Sequence, residues 1–138
     1  MMGCSSDSNS QQEEEVILGK IELSDAWARP AGKGQTSGVY LTIANGTATA
    51  DTLMSISSDA SSKAEIHESF EENGVSEMRP AGKQIIQPAK ELQFQPGGLH
   101  IMLMKLTQNI AVGDSISVTL DFARVGKKQI TVPVQIQN

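Results

Sequence analysis

The feature that most constrains the fold is an alternation between short runs of β-forming residues and turn-forming segments. No stretch keeps the 3.6-residue apolar period of an amphipathic helix, and no internal repeat is visible. The runs are VILGKIEL, SGVYLTIAN, DTLMSISS, AEIHESF, VSEMRP, KQIIQP, ELQFQP, LHIMLMKL, SISVTLDFA and QITVPVQI. Short strands at this spacing predict an all-β domain, either a two-sheet sandwich or a small barrel.

Length and charge limit what such a domain can do. The 138 residues predict one folded domain over residues 16–138 behind a polar tether of residues 1–15, with a monomer as the default. The net charge of −5 argues against nucleic acid and against direct binding to an anionic membrane surface. No apolar run is long enough to span a bilayer.

The single cysteine, Cys4, lies in the polar tether. The chain therefore has no cysteine pair for an intrachain disulfide, and the domain has no thiolate for a metal site. Gly3-Cys4 followed by small polar residues is similar to the end of a bacterial lipoprotein signal, in which the cysteine is acylated. This interpretation predicts a periplasmic or extracytoplasmic protein with a lipid anchor at Cys4, and a free thiol in a solvated tail is the alternative.

The predicted strand at residues 99–106 carries unusual side chains on one of its two faces. Alternation gives it an ordinary core face, made of Leu99, Ile101 and Leu103. The other face carries one of the two histidines and two of the six methionines: His100, Met102 and Met104. A methionine in a sandwich is usually core filler, so this strand alone is a weak indication of a metal site.

The predicted hairpin at residues 63–80 repeats the pattern with His67 and Met78. A four-residue loop at 71–74 would place His67 directly opposite Met78. A two-residue turn at Asn73-Gly74 would instead place Met78 opposite Ser69 and diagonal to His67. Both registers put His67 and Met78 on one face. The surrounding glutamates are interpreted as solvated surface, with steering of a cation or a basic partner as the alternative: Glu65, Glu68, Glu71, Glu72 and Glu77.

Two histidine- and methionine-bearing faces indicate a particular kind of metal. Side chains two apart along a strand lie roughly 7 Å apart and cross-strand pairs about 5 Å apart, so such groups can converge on one ion. Thioether sulfur is a soft, neutral ligand that selects Cu(I), and neutral imidazole can complete the set. The pattern therefore predicts a Cu(I) site.

The spacing of the four residues is itself specific. Ten residues separate His67 from Met78, twenty-one separate Met78 from His100, and one separates His100 from Met102. This spacing resembles the signature of the periplasmic copper chaperone family PCuAC. Further segments resemble that family from about residue 21 to about residue 134, namely DAWARPAGKGQTSGVYLTIAN, EMRPAG, PGGLHIMLMKL and VGDSISVTLDF.

The resemblance implies a cupredoxin-like Greek-key β-sandwich that binds Cu(I). Carried over by position, its ligands are His67, Met78, His100 and Met102. It also implies delivery of copper to cytochrome c oxidase, at the copper centre of subunit II, alongside thiol-bearing copper chaperones. Two departures from the family are Glu68, where many members have methionine, and the lack of a His/Met-rich C-terminal extension. One principal copper site is therefore expected, with Met104 as a neighbour.

Other function classes fit the sequence less well. A blue-copper electron carrier needs a cysteine thiolate beside two histidines, and the only thiol is in the tether. Ser69 lies near His67, but no nucleophile elbow or oxyanion loop is visible, so the chain is not expected to be an enzyme. The remaining alternatives are a non-catalytic adhesion or assembly module, in which methionines fill space, and a periplasmic copper storage or resistance protein.

Overall fold

The computed structural model describes residues 20–136, which form ten strands. The predicted tether at 1–15, with Cys4, lies outside the described residues. The described chain contains no helix that is long and apolar enough to cross a membrane. The strands are β1 (Ile21–Ala28), β2 (Ser37–Asn45), β3 (Asp51–Ser58), β4 (Ser61–Glu72), β5 (Val75–Pro80), β6 (Gln84–Ile86), β7 (Glu91–Phe94), β8 (Leu99–Leu106), β9 (Ser115–Phe122) and β10 (Gly126–Pro133).

The strands form two sheets. The larger has the order β1-β2-β8-β4-β5, with β7 also paired to β2, and the smaller has the order β10-β9-β3-β6. Every pairing between these strands is antiparallel. The predicted all-β class is confirmed, and β2, β3, β5 and β8 have the bounds that their sequence runs predict.

The core contains the inward-facing side chains of both sheets. On β8, Ile101 and Leu103 are fully buried, while on β9 the buried positions alternate along the strand and include Leu120 and Phe122. Burying a side chain of this size contributes about 1.5–3 kcal/mol to folding. Because Ile101 and Leu103 of β8 face this core, the alternating residues His100, Met102 and Met104 face away from the second sheet. The alternation ends at Lys105, which has a positive φ of 53°, and Leu106 is again part of the core.

The first strand continues further along the chain than the sequence run predicts. The run ends at Leu23, whereas β1 continues to Ala28 through a bulge between Ser24 and Trp27. Asp25 takes a positive φ of 57° within this bulge, which absorbs the extra residue and lets pairing with β2 resume. As a result Trp27 lies opposite Tyr40 on β2.

Candidate functional site

The β4–β5 hairpin has the two-residue turn, and the four-residue alternative is wrong. Asn73 and Gly74 both have positive φ, at 55° and 81°, as a type I′ turn requires. Glu72 consequently pairs with Val75, and Ser69 pairs with Met78. Met78 is therefore diagonal to the position two residues before Ser69, which is His67.

The two histidines lie directly opposite each other on neighbouring strands. His67 of β4 pairs with His100 of β8, and their ring centroids are 6.2 Å apart. A metal bonded to an imidazole nitrogen at about 2 Å lies about 3 Å from the ring centroid. The measured separation is therefore compatible with one ion held between the two rings. The sequence motifs alone do not reveal this pairing.

His100 is more buried than a half-exposed strand face predicts, because β8 is a central strand flanked by β2 and β4. The residue is only 5% exposed. Its Nδ1 lies 2.9 Å from the carbonyl oxygen of Gly98, and a carbonyl can only accept, so Nδ1 donates. In the neutral ring Nε2 then carries the lone pair.

The Nε2 atom of His100 is buried and has no hydrogen-bond partner among residues 20–136. Leaving a buried polar atom unsatisfied costs about 1–3 kcal/mol, so such atoms are rare in folded proteins. A metal ion would satisfy this nitrogen, and the Gly98 carbonyl already fixes the tautomer that ligation requires. This is the strongest structural sign of a ligand site.

His67 is held by a carboxylate on its own strand. Its Nε2 lies 2.9 Å from Oε1 of Glu65, and because a carboxylate only accepts, Nε2 donates. Lys63 contacts the other oxygen of Glu65 at 3.0 Å. The hydrogen bond from His67, followed by that from Lys63, lowers the pKa of Glu65, which keeps this carboxyl ionised. In the neutral His67 ring, Nδ1 is left free to bind a metal.

The two methionines share a surface cavity with His100. Met78, His100 and Met102 all line a depression of about 250 Å³, with Arg29 and Tyr40 on another wall. Met78 is 59% exposed, whereas Met102 is half-buried.

Three of the four predicted ligands therefore share one cavity, and His67 lies next to His100 rather than among the residues lining it. Met104 is not among the lining residues either.

An aromatic and cationic wall of this cavity, formed by Arg29 and Tyr40, was not predicted as part of the site. Trp27 packs on Tyr40 but does not line the cavity. The rings of Trp27 and Tyr40 are 4.7 Å apart, and the guanidinium carbon of Arg29 lies 5.9 Å and 5.5 Å from their respective centroids. A Cβ at Gly38 would lie 2.6 Å from the Tyr40 hydroxyl, so this glycine makes room for the phenol. Gly38 pairs with Met102, and this pairing places the wall beside the methionine.

Comparison with known proteins identifies sequence relatives. The chain matches a family model described as "Putative lipoprotein LpqE-like" over residues 21–134. It is also 35% identical over 116 residues to putative lipoprotein Lxx21020 of Leifsonia xyli subsp. xyli (strain CTCB07). That alignment covers 83% of this chain and 69% of the relative.

Solved structures share the fold. The apo PCuAC domain from PmoF1 has a TM-score of 0.73 at 22% identity, covering 89% of this chain and 99% of that domain. The solution structure of CuI-DR1885 from Deinococcus radiodurans has a TM-score of 0.64 at 19% identity, covering 82% and 78% of the two chains. These likenesses confirm the predicted cupredoxin-like sandwich and the resemblance to PCuAC domains in fold.

Proposed function

This chain belongs to the LpqE-like family, and from that premise we propose that it is an extracytoplasmic copper chaperone. It carries one Cu(I) ion at the cavity on the outer face of the larger sheet and passes that ion to an acceptor protein. The observation that carries the proposal is the buried, unpartnered Nε2 of His100 in a cavity shared with two methionine side chains. The CuI-DR1885 structure, which has the same fold, supports it.

The proposed ligands are His67, Met78, His100 and Met102. His100 binds through Nε2, because Nδ1 is committed to Gly98, and His67 binds through Nδ1, because Nε2 is committed to a carboxylate. Two thioethers and two neutral imidazoles bring no negative charge, and soft sulfur favours Cu(I) over zinc, calcium or magnesium. Such a set holds the ion without the thiolates that would make release slow.

Release follows from the unequal exposure of the ligands. Met78 lies on an edge strand and is 59% exposed, so an incoming thiolate or imidazole of an acceptor can displace it first. The buried His100 keeps its bond to the copper ion until the acceptor has supplied enough ligands of its own. Each exchange replaces one copper–ligand bond by another, so the ion is never stripped of its ligands.

We propose the copper centre of cytochrome c oxidase, in subunit II, as the acceptor, with thiol-bearing copper chaperones as further donors or acceptors. The family description and the Leifsonia relative are both named as putative lipoproteins, which supports an extracytoplasmic location. Acylation at Cys4 would keep the copper domain near a membrane-bound acceptor.

Anaerobic competition with a chromophoric Cu(I) chelator tests the proposal. The wild-type protein is expected to bind one Cu(I), and Met78→Leu and Met102→Leu are expected to weaken binding while conserving volume. Met54→Leu is the matched control, because Met54 is also partly exposed, at 37%, but does not line the cavity. A wild-type protein without Cu(I) affinity would favour the adhesion or assembly alternative. Unchanged affinity in both Met78→Leu and Met102→Leu would contradict the ligand assignment.

A further inference from the structure

A positively charged side chain lies on the wall of the cavity that we propose for copper. Arg29 lines the same depression as Met78, His100 and Met102. It is exposed, and among residues 20–136 the ion pairs join other groups, namely Lys63–Glu65, His67–Glu65 and Arg79–Glu68. The charge of Arg29 is therefore not neutralised by a carboxylate of the described chain.

The guanidinium is held in place rather than free to swing away. Its Cζ lies within 6 Å of both the Trp27 and Tyr40 rings, at cation–π distance. The Arg29 backbone is fixed as well, because its N–H donates to the Gly38 carbonyl at 3.0 Å and its carbonyl accepts from the Ser37 hydroxyl at 2.6 Å. A fixed charge at a cavity wall acts on whatever ion the cavity holds.

We propose that Arg29 is a specificity-determining residue that selects monovalent copper against divalent ions. This inference rests on the proposed function. Coulomb repulsion scales with the charge of the bound ion, so a fixed positive group raises the free energy of a bound Cu(II) or Zn(II) about twice as much as that of Cu(I). The four neutral ligands do not offset this repulsion by an attraction of their own. The discrimination by Arg29 therefore adds to the preference of sulfur for Cu(I).

The carboxylates near Met78 are a reason why the site would need selection against divalent ions. Glu71 and Glu77 line a neighbouring depression together with Met78. Carboxylates attract divalent ions and are good ligands for them. Arg29 follows β1, which lies at the other end of the sheet order from β5, and it makes no ion pair with those glutamates. Its charge therefore offsets their negative field where the ion binds.

The test compares affinities for Cu(I) and Cu(II) in the purified chain, measured by ligand competition at low ionic strength. In Arg29→Gln, Cu(I) affinity is expected to rise about threefold and Cu(II) affinity about tenfold, the second factor being roughly the square of the first. Arg29→Lys keeps the charge and is expected to retain the wild-type ratio. Arg79→Gln is the matched control, because Arg79 lies over Phe70 at 4.3 Å on the opposite face of the hairpin.

A purely structural role for Arg29 gives a different result. If its only task is to pack on the two rings, Arg29→Gln changes both affinities by the same factor, and this outcome overturns the inference while leaving the proposed function intact. Added salt gives an independent check, because screening of the exposed Arg29 charge should reduce the difference in Cu(I) preference between wild type and Arg29→Gln, which share the same glutamates. A difference that does not depend on salt would also overturn the inference. A wild-type chain that binds no Cu(I) overturns the proposed function itself.

Discussion

Two of the three strands that carry the proposed ligands differ in how firmly the fold holds them. β8 lies inside the larger sheet, paired on both sides, and contributes a histidine that is only 5% exposed. β5 is the edge strand of the same sheet, exposed at every residue, and contributes Met78. A carrier of a transferable ion benefits from this difference, because one strand anchors the ion and the other lets a partner reach it.

The difference has a physical origin in the sheet. A central strand shares its backbone hydrogen bonds with two neighbours and its core face with the second sheet, so it opens only with the whole domain. An edge hairpin can open locally, since only one neighbouring strand holds it. Substitutions, oxidation and a change of pH can each test this contrast between an anchored β8 and an accessible β5.

The largest contrast is expected in stability. Ile101→Ala on β8 removes a fully buried core side chain and should lower the free energy of unfolding by about 2–5 kcal/mol. Val75→Ala on β5 removes a side chain that is 53% exposed and should change it by less than about 0.5 kcal/mol. Denaturant unfolding measures both, and equal losses would remove the contrast.

In copper binding, His100 should matter most. Substituting groups that merely orient a metal ligand typically costs 10–100-fold in affinity, so His100→Gln is expected to lower Cu(I) affinity by about 100-fold or more. Unfolding measurements on the copper-free variant provide the control, because losing the Nδ1 hydrogen bond to the Gly98 carbonyl should lower the free energy of unfolding by only about 1 kcal/mol. A variant with near-wild-type affinity would contradict the role of His100 as anchor.

Oxidation should separate the two methionines. Met78 is 59% exposed and Met102 is half-buried, so mild peroxide treatment of the copper-free protein is expected to convert Met78 to its sulfoxide several-fold faster. Peptide mass spectrometry follows both sites in one sample. Equal oxidation rates at Met78 and Met102 would show that the two thioethers are equally accessible, and would contradict the role of Met78 as the exposed ligand.

The smallest expected effect concerns the carboxylate that holds His67. Because His67 and Lys63 lower the pKa of Glu65 in the folded state, this interaction stabilises the fold at neutral pH and is lost as pH falls through the lowered value. Thermal unfolding of Glu65→Gln should therefore differ slightly from wild type at neutral pH and converge with it in strong acid. Because the Glu65 side chain is still about one-third exposed, at 32%, solvent screening keeps the difference small. A difference that grows in acid would contradict this origin.

Much of the fold follows from local sequence patterns. The alternation in LHIMLMKL predicted that Ile101 and Leu103 of β8 enter the core, although it did not predict the burial of Leu106. Asn73-Gly74 indicated a hairpin whose turn both residues can adopt. The sequence left two registers open there, because each kept His67 and Met78 on one face. The positive φ values of Asn73 and Gly74 decide between the two registers, and these values come from the structure rather than from the sequence.

Features that depend on distant residues were not predictable in this way. The pairing of β4 with β8 places His67 opposite His100. It joins two strands between which β5, β6 and β7 lie in the sequence. The burial of His100 depends on neighbours from two other strands. Arg29 reaches the cavity because the β1 bulge realigns the chain, and a bulge leaves no periodic signal in sequence.

The most direct test of the account is the X-ray absorption spectrum of the Cu(I)-loaded protein. We predict a first coordination shell that contains both sulfur and nitrogen scatterers, with the sulfur contribution reduced in Met102→Leu and the nitrogen contribution reduced in His100→Gln. A first shell without sulfur, or one that neither substitution changes, would contradict the claim that imidazoles and thioethers of this cavity together hold one cuprous ion.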